Sequence, residues 1–495
     1  MNWCPLTMWW SLTRRWTCGA SGCGLGEELR LTLAWVADAV GGEVLLGDPS
    51  DAIGEVVSDT RTLAAGDFFV ALKGPRFDAH DFVAGAFRRG ASGALVERGR
   101  VGAEQLSAAG AGGVVEVDDT TTALQNLAHA VRKASGTRVV AITGSAGKTT
   151  TKEAIAEFLK GRGRVVRNKG NLNNHIGLPL SLLQLRARPD IAVMELGMNH
   201  AGEISTLVAI AEPETRVWTN VGDAHIGFFA SPDGIADAKA EILEGAHSES
   251  LLVCNADDSR VMTRVGAFAG RTLTFGTSAP AAVHARDIER LGIDGTSALM
   301  VTPAGERQIR TPLIGRGNLS NVLAAATVAL DLGTPIDDVV AGAARLKPAE
   351  RRGAVRRLRG GTVLIDDSYN SSPAALAAAL DVVAAEVGVA RKVAVIGEML
   401  ELGEHAEALH RRSGALAAAA GLQLLFVIGG EAARTLAEAA IEAGMPVSAV
   451  RCIDDSESAA PDIAAAVRPG DLVLVKGSRG VRTDVVADHI AAEFA

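Results

Sequence analysis

The stretch that most restricts the fold is TGSAGKTTTKE, residues 143–153. The apolar run 138–142 before it reads as a short buried strand, and 154–159 after it reads as an amphipathic helix. A strand, a glycine turn and a helix opening on Lys-Thr form a phosphate-binding loop. Gly144 and Gly147 permit the sharp turn and the close approach of an anion. Backbone N–H groups and the positive end of the helix then face that anion. Lys148 can reach outer phosphates, and the Thr149 hydroxyl can ligate Mg²⁺. Ile142 stands where the full Walker pattern has glycine, so the match is to the shorter G-x-x-G-K-T-T form.

A chain of 495 residues has material for about three domains. A net charge of −9 argues against a general nucleic-acid surface. No apolar stretch is long enough to span a bilayer, so no membrane insertion is expected. Five cysteines without a C-x-x-C pair give neither a disulfide framework nor a structural zinc site, which fits a reducing cytoplasm.

The fold class expected is α/β in three domains. Residues 1–29 are unlike the rest, with four of the six tryptophans (Trp3, Trp9, Trp10, Trp16) and three cysteines, and read as a disordered extension. Arg14 and Arg15 follow the apolar part instead of preceding it, which argues against a signal peptide. Residues 30–125 read as a small mixed α/β domain, with a helix over 31–39 entered through Thr32, a strand over 67–72 and a helix over 124–134 near its end. Residues 126–346 alternate strands (139–142, 191–196, 216–220, 251–254) with helices, which predicts a mostly parallel sheet flanked by helices. Residues 347–495 repeat the style with strands at 362–366, 392–396, 424–428 and 472–475, a second, dinucleotide-fold-like α/β domain.

Ligands in such sheets sit at the carboxyl ends of the strands. Glu195 ends one strand beside the phosphate loop and is well placed for Mg²⁺; an ordinary strand-terminal acid is the alternative. His225 follows the next strand on the same sheet edge. Lys239, in the helix beyond, reads as an exposed helix lysine with no role from sequence physics. Asn171, Asn173 and Asn174 suit peptide or sugar recognition, or else form a turn-rich loop. Asn318 or Asn321 can cap the helix they open or contact an adenine. In the first domain Ser58, Thr60, Arg61, His80 and Phe82 could form a nucleotide-sugar pocket; taken singly they read as a solvated arginine and a core phenylalanine. In the third domain Asp367, Tyr369 (the only tyrosine) and Asn370 follow one strand, and Lys476 and Arg479 follow another. Most of the basic run Arg351, Arg352, Arg356, Arg357 and Arg359 reads as a solvated face.

From about residue 31 onward the chain resembles the Mur ligases, ATP-dependent peptide ligases of cell-wall precursor synthesis. TGSAGKTTTKE, NLNNHIGLPLSLL, MELGMNHAGEI, DDSYNSSP and GEMLELGE occur in the family's order, and their combination is highly specific. The resemblance implies that Gly144, Ser145, Ala146, Gly147, Lys148, Thr149 and Thr150 hold the ATP phosphates. It implies one Mg²⁺ on Thr149 and Glu195 and a second on His225, with Lys239 carbamylated as a carboxylate-like metal partner. Asn318 falls on the adenine-side asparagine, Arg352 on the hinge arginine and Asp367 in the third-domain motif. DDSYNSSP and NLNNHIG favour the member that adds a dipeptide, which implies UDP-N-acetylmuramoyl-tripeptide and D-Ala-D-Ala as substrates of a cytoplasmic monomer. The three domains would hold nucleotide sugar, ATP and dipeptide in turn. Gly317 stands where the family has histidine, and Arg351 where a glycine usually precedes the hinge arginine. A single-amino-acid-adding relative of the folylpolyglutamate synthetase type, a non-catalytic nucleotide-binding homologue and a simple P-loop kinase are the rival readings.

Overall fold

The computed structural model describes residues 27–495 apart from 103–105, 107–109, 111 and 279. The extension expected over 1–29 therefore lies mostly outside the described residues. Its last part is tied to the body: Glu28 pairs with Arg186 at 2.6 Å, and the Leu29 N–H donates to the Arg186 carbonyl at 2.8 Å.

Three sheets organise the chain. The first takes five strands in the order Glu43–Leu46, Gly113–Val117, Gly93–Glu97, Phe68–Val70, Val56–Val57, parallel except for the first pair. Thr32 caps the helix Leu33–Val40 by accepting the Trp35 N–H. The helix expected over 124–134 is longer, Thr120–Ser135, because Asp119 accepts the Thr122 N–H at 2.6 Å and starts it earlier. It runs unbroken through position 125/126, where sequence reading divides two domains. Its buried Leu124, Leu127, Ala128 and Val131 join one apolar cluster with residues of both neighbours.

The central sheet has nine strands, ordered Gly305–Thr311, Thr296–Thr302, Val283–Arg290, Arg271–Gly276, Leu251–Asn255, Thr215–Trp218, Arg138–Thr143, Ile191–Glu195, Val165–Arg167. The run from Val165–Arg167 to Val283–Arg290 is parallel, and the last two strands add antiparallel. Its middle strands are buried throughout, as a sheet covered by helices on both faces requires. Arg138–Thr143 lies between Ile191–Glu195 and Thr215–Trp218, in register Ile142 to Glu195 and Thr143 to Trp218. That register brings the phosphate loop, Glu195 and the loop leading to His225 to one edge. The third sheet orders Ala354–Arg357, Val363–Asp367, Asp471–Lys476, Arg391–Gly397, Leu424–Ile428, Val450–Ile453, with only the first strand antiparallel.

Candidate active site

The loop after Arg138–Thr143 turns at two glycines whose places admit no other side chain. Gly144 has φ +148°, and a Cβ there would lie 1.9 Å from Thr219 Oγ1; Gly147 has φ +83°, and a Cβ would lie 2.1 Å from Asn321 Oδ1. The helix Lys148–Phe158 starts at once, without a side-chain cap, so its first N–H groups remain available to an anion. Neighbouring strand ends hold the loop in shape. Thr219 Oγ1 donates to the Ala146 carbonyl at 2.7 Å, and the Ala146 N–H donates to Asn220 Oδ1 at 2.9 Å. Lys148 Nζ donates to the Gly144 carbonyl at 2.7 Å. The enclosing protein lowers its pKa, with Glu195 opposing that shift and Arg352 adding to it.

Glu195 is buried at 4% exposure, with both oxygens engaged. Thr149 Oγ1 donates to Oε2 at 2.8 Å and Asn173 Nδ2 to Oε1 at 2.9 Å. Asn168 clamps its backbone on both sides, accepting the Glu195 N–H and donating to its carbonyl. Lys152 Nζ donates to the Asn168 carbonyl at 2.8 Å and lies 3.8 Å from Glu195 Oε2. Burial pushes the Glu195 carboxyl up, but Lys148 and then Lys152 outweigh it and hold the group below the usual range. Lys152 and Asn168 escape sequence reading. The available signal is that Lys152 lies one helical turn from Thr149 and so shares its face.

A cavity of about 650 Å³ opens over this edge and is closed from the other side by the third domain. Ser145, Ala146, Gly147, Lys148, Thr149 and Thr150 line it, as do Asn171, Asn173, Asn174, Glu195 and His225. Asn318, on the central-domain helix Arg316–Asp331, lines it as well, and from the far side come Arg352, Asp367, Tyr369, Asn370, Lys476 and Arg479. Asn174 spends its Oδ1 on the Gly177 N–H at 2.8 Å, capping the next helix. Asn318 donates to the Ile314 carbonyl and accepts from Asn321. A Cβ at Gly317 would meet nothing within 4 Å. Lys476 is buried: its Nζ holds Asp367 at 2.6 Å and the Asn370 carbonyl at 3.0 Å, so it braces the turn around Tyr369. The Arg352 guanidinium lies 4.0 Å from the Tyr369 ring centroid, and that of Arg479 5.6 Å.

Several expectations need correcting. Lys239 is not an exposed helix lysine but is buried at 1% exposure in Pro232–Ala240; burial, then the Lys148 charge, lowers its pKa well below the usual lysine range. It forms no salt bridge among the described residues. His225, expected on a second Mg²⁺, has its Nδ1 2.6 Å from Glu401 Oε2 of the third domain, a contact that leaves Nε2 open and does not contradict that expectation. Among the described residues no three His, Cys, Asp or Glu side chains converge as a metal site. Thr60 and Arg61 do not line the cavity. Arg61 is taken by Asp59 at 2.6 Å, with its side chain 88% exposed. His80 is a buried structural ring whose Nε2 accepts the Glu97 N–H at 2.9 Å, and Phe82 is exposed.

Residues 142–329 match the Mur ligase middle domain, and residues 351–479 match the Mur ligase, glutamate ligase domain. The chain belongs to the Mur ligase family. It is 34% identical to the UDP-N-acetylmuramoyl-tripeptide–D-alanyl-D-alanine ligase of Bacillus subtilis (strain 168), over 88% of this chain and 92% of that one. The enzyme of the same name from Escherichia coli (strain K12) is 37% identical over 81% and 86%. A crystal structure of MurF from Acinetobacter baumannii superposes with a TM-score of 0.84 at 31% identity, covering 94% of this chain and 99% of that one. A MurF ligase from Thermotoga maritima in complex with ADP gives 0.77 at 31% identity, covering 89% and 97%. These Mur ligases share the three-sheet α/β architecture, and the family uses ATP. The comparisons lend no support to carbamylation of Lys239. Among the described residues no helix is long and apolar enough to cross a membrane.

Proposed function

We propose that this Mur ligase joins D-alanyl-D-alanine to UDP-N-acetylmuramoyl-tripeptide at the expense of ATP, giving the pentapeptide precursor of peptidoglycan. What carries the proposal is a single cavity lined on one side by a phosphate loop and on the other by Arg352 and Arg479. Relatives of that name, aligned over most of the chain, support the choice of substrates.

The chain's residues divide the work by position. The open N–H groups from Gly147 onward receive the ATP phosphates, and Lys148 exchanges the Gly144 carbonyl for a phosphate oxygen. Thr149 and Glu195, a hydroxyl and an ionised carboxylate 2.8 Å apart, are hard oxygen donors that fit Mg²⁺. Bound there, Mg²⁺ would neutralise charge on the outer phosphates. His225 meets Glu401 through Nδ1 alone, which leaves Nε2 as the atom that would hold a second Mg²⁺. An oxygen of the tripeptide's terminal carboxylate attacks the γ-phosphorus and ADP leaves. The amine of D-Ala-D-Ala then attacks the acyl carbon and sheds a proton, and phosphate departs with the former carboxylate oxygen. Lys148 and Arg352 stabilise the transferring group electrostatically, and Asp367, Tyr369, Asn370 and Arg479 form the third-domain side on which the dipeptide is held. The enzyme is expected to work as a cytoplasmic monomer.

The test is phosphate release from ATP and Mg²⁺ with UDP-N-acetylmuramoyl-tripeptide, with and without D-Ala-D-Ala, with products weighed. Release that needs both substrates and a product heavier by one dipeptide is expected. Equal or better turnover with a single amino acid would reassign the substrate within the family, and nucleotide binding without turnover would reject the enzyme reading.

A further inference from the structure

The segment joining the central and third domains contains an unusual bend. Arg351 has φ +58°, in the left-handed region that a residue with a Cβ enters at a cost. The glycine that follows Arg352 is also left-handed, with Gly353 at φ +70°, so the chain turns sharply on both sides of Arg352. The Arg351 side chain is held on the third domain. Its Nη2 lies 2.9 Å from Asp488 Oδ2 and its Nη1 3.3 Å from Asp484 Oδ2, both on the C-terminal helix Asp484–Glu493. The Arg351 carbonyl accepts the Tyr369 N–H at 3.0 Å. Side chain and backbone therefore fix the bend to the third domain by contacts 137 residues away in sequence and at the Tyr369 turn. The product of the bend is the direction of Arg352. Its guanidinium lies over Tyr369, 4.0 Å from the ring centroid, in the wall of the cavity that faces the phosphate loop. Arg352 is thus attached to the third domain and faces the phosphate loop across the cavity.

We propose that Arg351 is a positioning residue: its clamp on Asp484 and Asp488 holds the left-handed bend that aims Arg352 across the cleft at the transferring phosphate. The inference rests on the ligase function proposed above. Two acids on the outer side of one helix could have held any basic residue. What marks Arg351 is that the paired contact, the Tyr369 hydrogen bond and the positive φ meet at the residue directly before the one that reaches the cavity. Without the clamp only the Tyr369 hydrogen bond is left to offset the strain of the bend, and Arg352 is held less firmly over Tyr369.

The test is a double-mutant cycle on the full chain with Arg351→Ala, Arg352→Ala and both, reading kcat, KM for each substrate, ADP affinity by calorimetry and Tm. Arg351→Ala should lower kcat about 10- to 100-fold, the penalty of a misplaced catalytic group, with KM for the tripeptide little changed. In the Arg352→Ala background the same change should cost nothing further. Arg351→Lys, which can keep one of the two acid contacts, should recover part of the loss. Equal losses in both backgrounds, or a kcat loss that follows Tm through the series, would overturn the proposal. If the unsubstituted protein makes no dipeptide adduct, the ligase function fails on its own. The cycle is then read on ADP affinity, where additive losses reject the positioning role and non-additive losses support it.

Discussion

Replacing Lys152 by methionine tests how Glu195 is kept charged in a buried place. The ammonium and carboxylate are 3.8 Å apart, with side chains 2% and 5% exposed. At an effective dielectric of about 20, charges so placed attract by about 4 kcal/mol. Burial of the lysine costs several kcal/mol against that, and its own pKa is lowered by burial more than Glu195 and Glu153 restore it. Methionine removes both terms but leaves Glu195 buried with one cation fewer. Breaking a buried pair usually costs about 3–5 kcal/mol; Lys148, Thr149 and Asn173 still serve Glu195. We therefore expect the lower end, about 3 kcal/mol, as a shift of the urea midpoint at constant m. A carboxyl held below its unfolded pKa of 4.5 contributes stability above that pH and loses it as the pH falls. With Lys152 gone the Glu195 pKa rises, so acid destabilisation should begin at higher pH. A loss under about 1 kcal/mol with an unchanged acid limb would refute the claim that Lys152 holds Glu195 in its ionised form.

Gly147→Ala must take a left-handed backbone, at about 1–2 kcal/mol, and displace the Asn321 amide; ATP affinity measured by calorimetry should fall at least about tenfold, and unchanged affinity would contradict the loop geometry. Glu401→Ala removes the His225 contact that ties the third domain to the central one, while Gly227 N–H keeps the Glu401 carbonyl at 2.9 Å. We expect kcat to fall severalfold with stability changed by less than about 1 kcal/mol; an unchanged kcat would show that the contact does not support closure. His410 is buried, accepting the Met399 N–H at Nε2 and donating to the Ala406 carbonyl at Nδ1, which only the neutral ring can do. Burial lowers its pKa from 6.5, so the unfolded chain takes the proton more readily and stability falls as pH drops below that value. His410→Gln should flatten that slope in denaturation between about pH 7 and 5, and a slope unchanged by the substitution would exclude His410 as its source.

The phosphate loop was legible because a glycine turn between an apolar strand and a Lys-Thr helix start has one main physical use. The buried inner parallel strands were legible as short apolar runs, and Glu195 as an acid at the end of one, whereas the more exposed parallel strands Val165–Arg167, Arg271–Gly276, Val283–Arg290 and Val450–Ile453 were not. The two antiparallel strands of the central sheet were not. In Gly305–Thr311 (GERQIRT) only Ile309 and Thr311 are buried, so its polar face hides the strand. Lys239 was misread because its helix carries a weak apolar stripe and nothing local shows that its lysine points inward. The pairing of Arg61 with Asp59, two residues before it, is a local contact that the sequence could have suggested. The third-domain contacts were out of reach for another reason. Glu401 meets His225 across 176 positions and Arg351 meets Asp488 across 137, and no local pattern encodes such pairings.

The most direct test of the central claim follows an oxygen atom. UDP-N-acetylmuramoyl-tripeptide carrying ¹⁸O in its terminal carboxylate is turned over with ATP, Mg²⁺ and D-Ala-D-Ala, and the released phosphate is weighed. Activation of that carboxylate by the γ-phosphoryl group held at Lys148 predicts one ¹⁸O in each phosphate. Unlabelled phosphate released alongside dipeptide adduct would mean that the carboxylate is never phosphorylated, and the role assigned to the phosphate loop would be wrong.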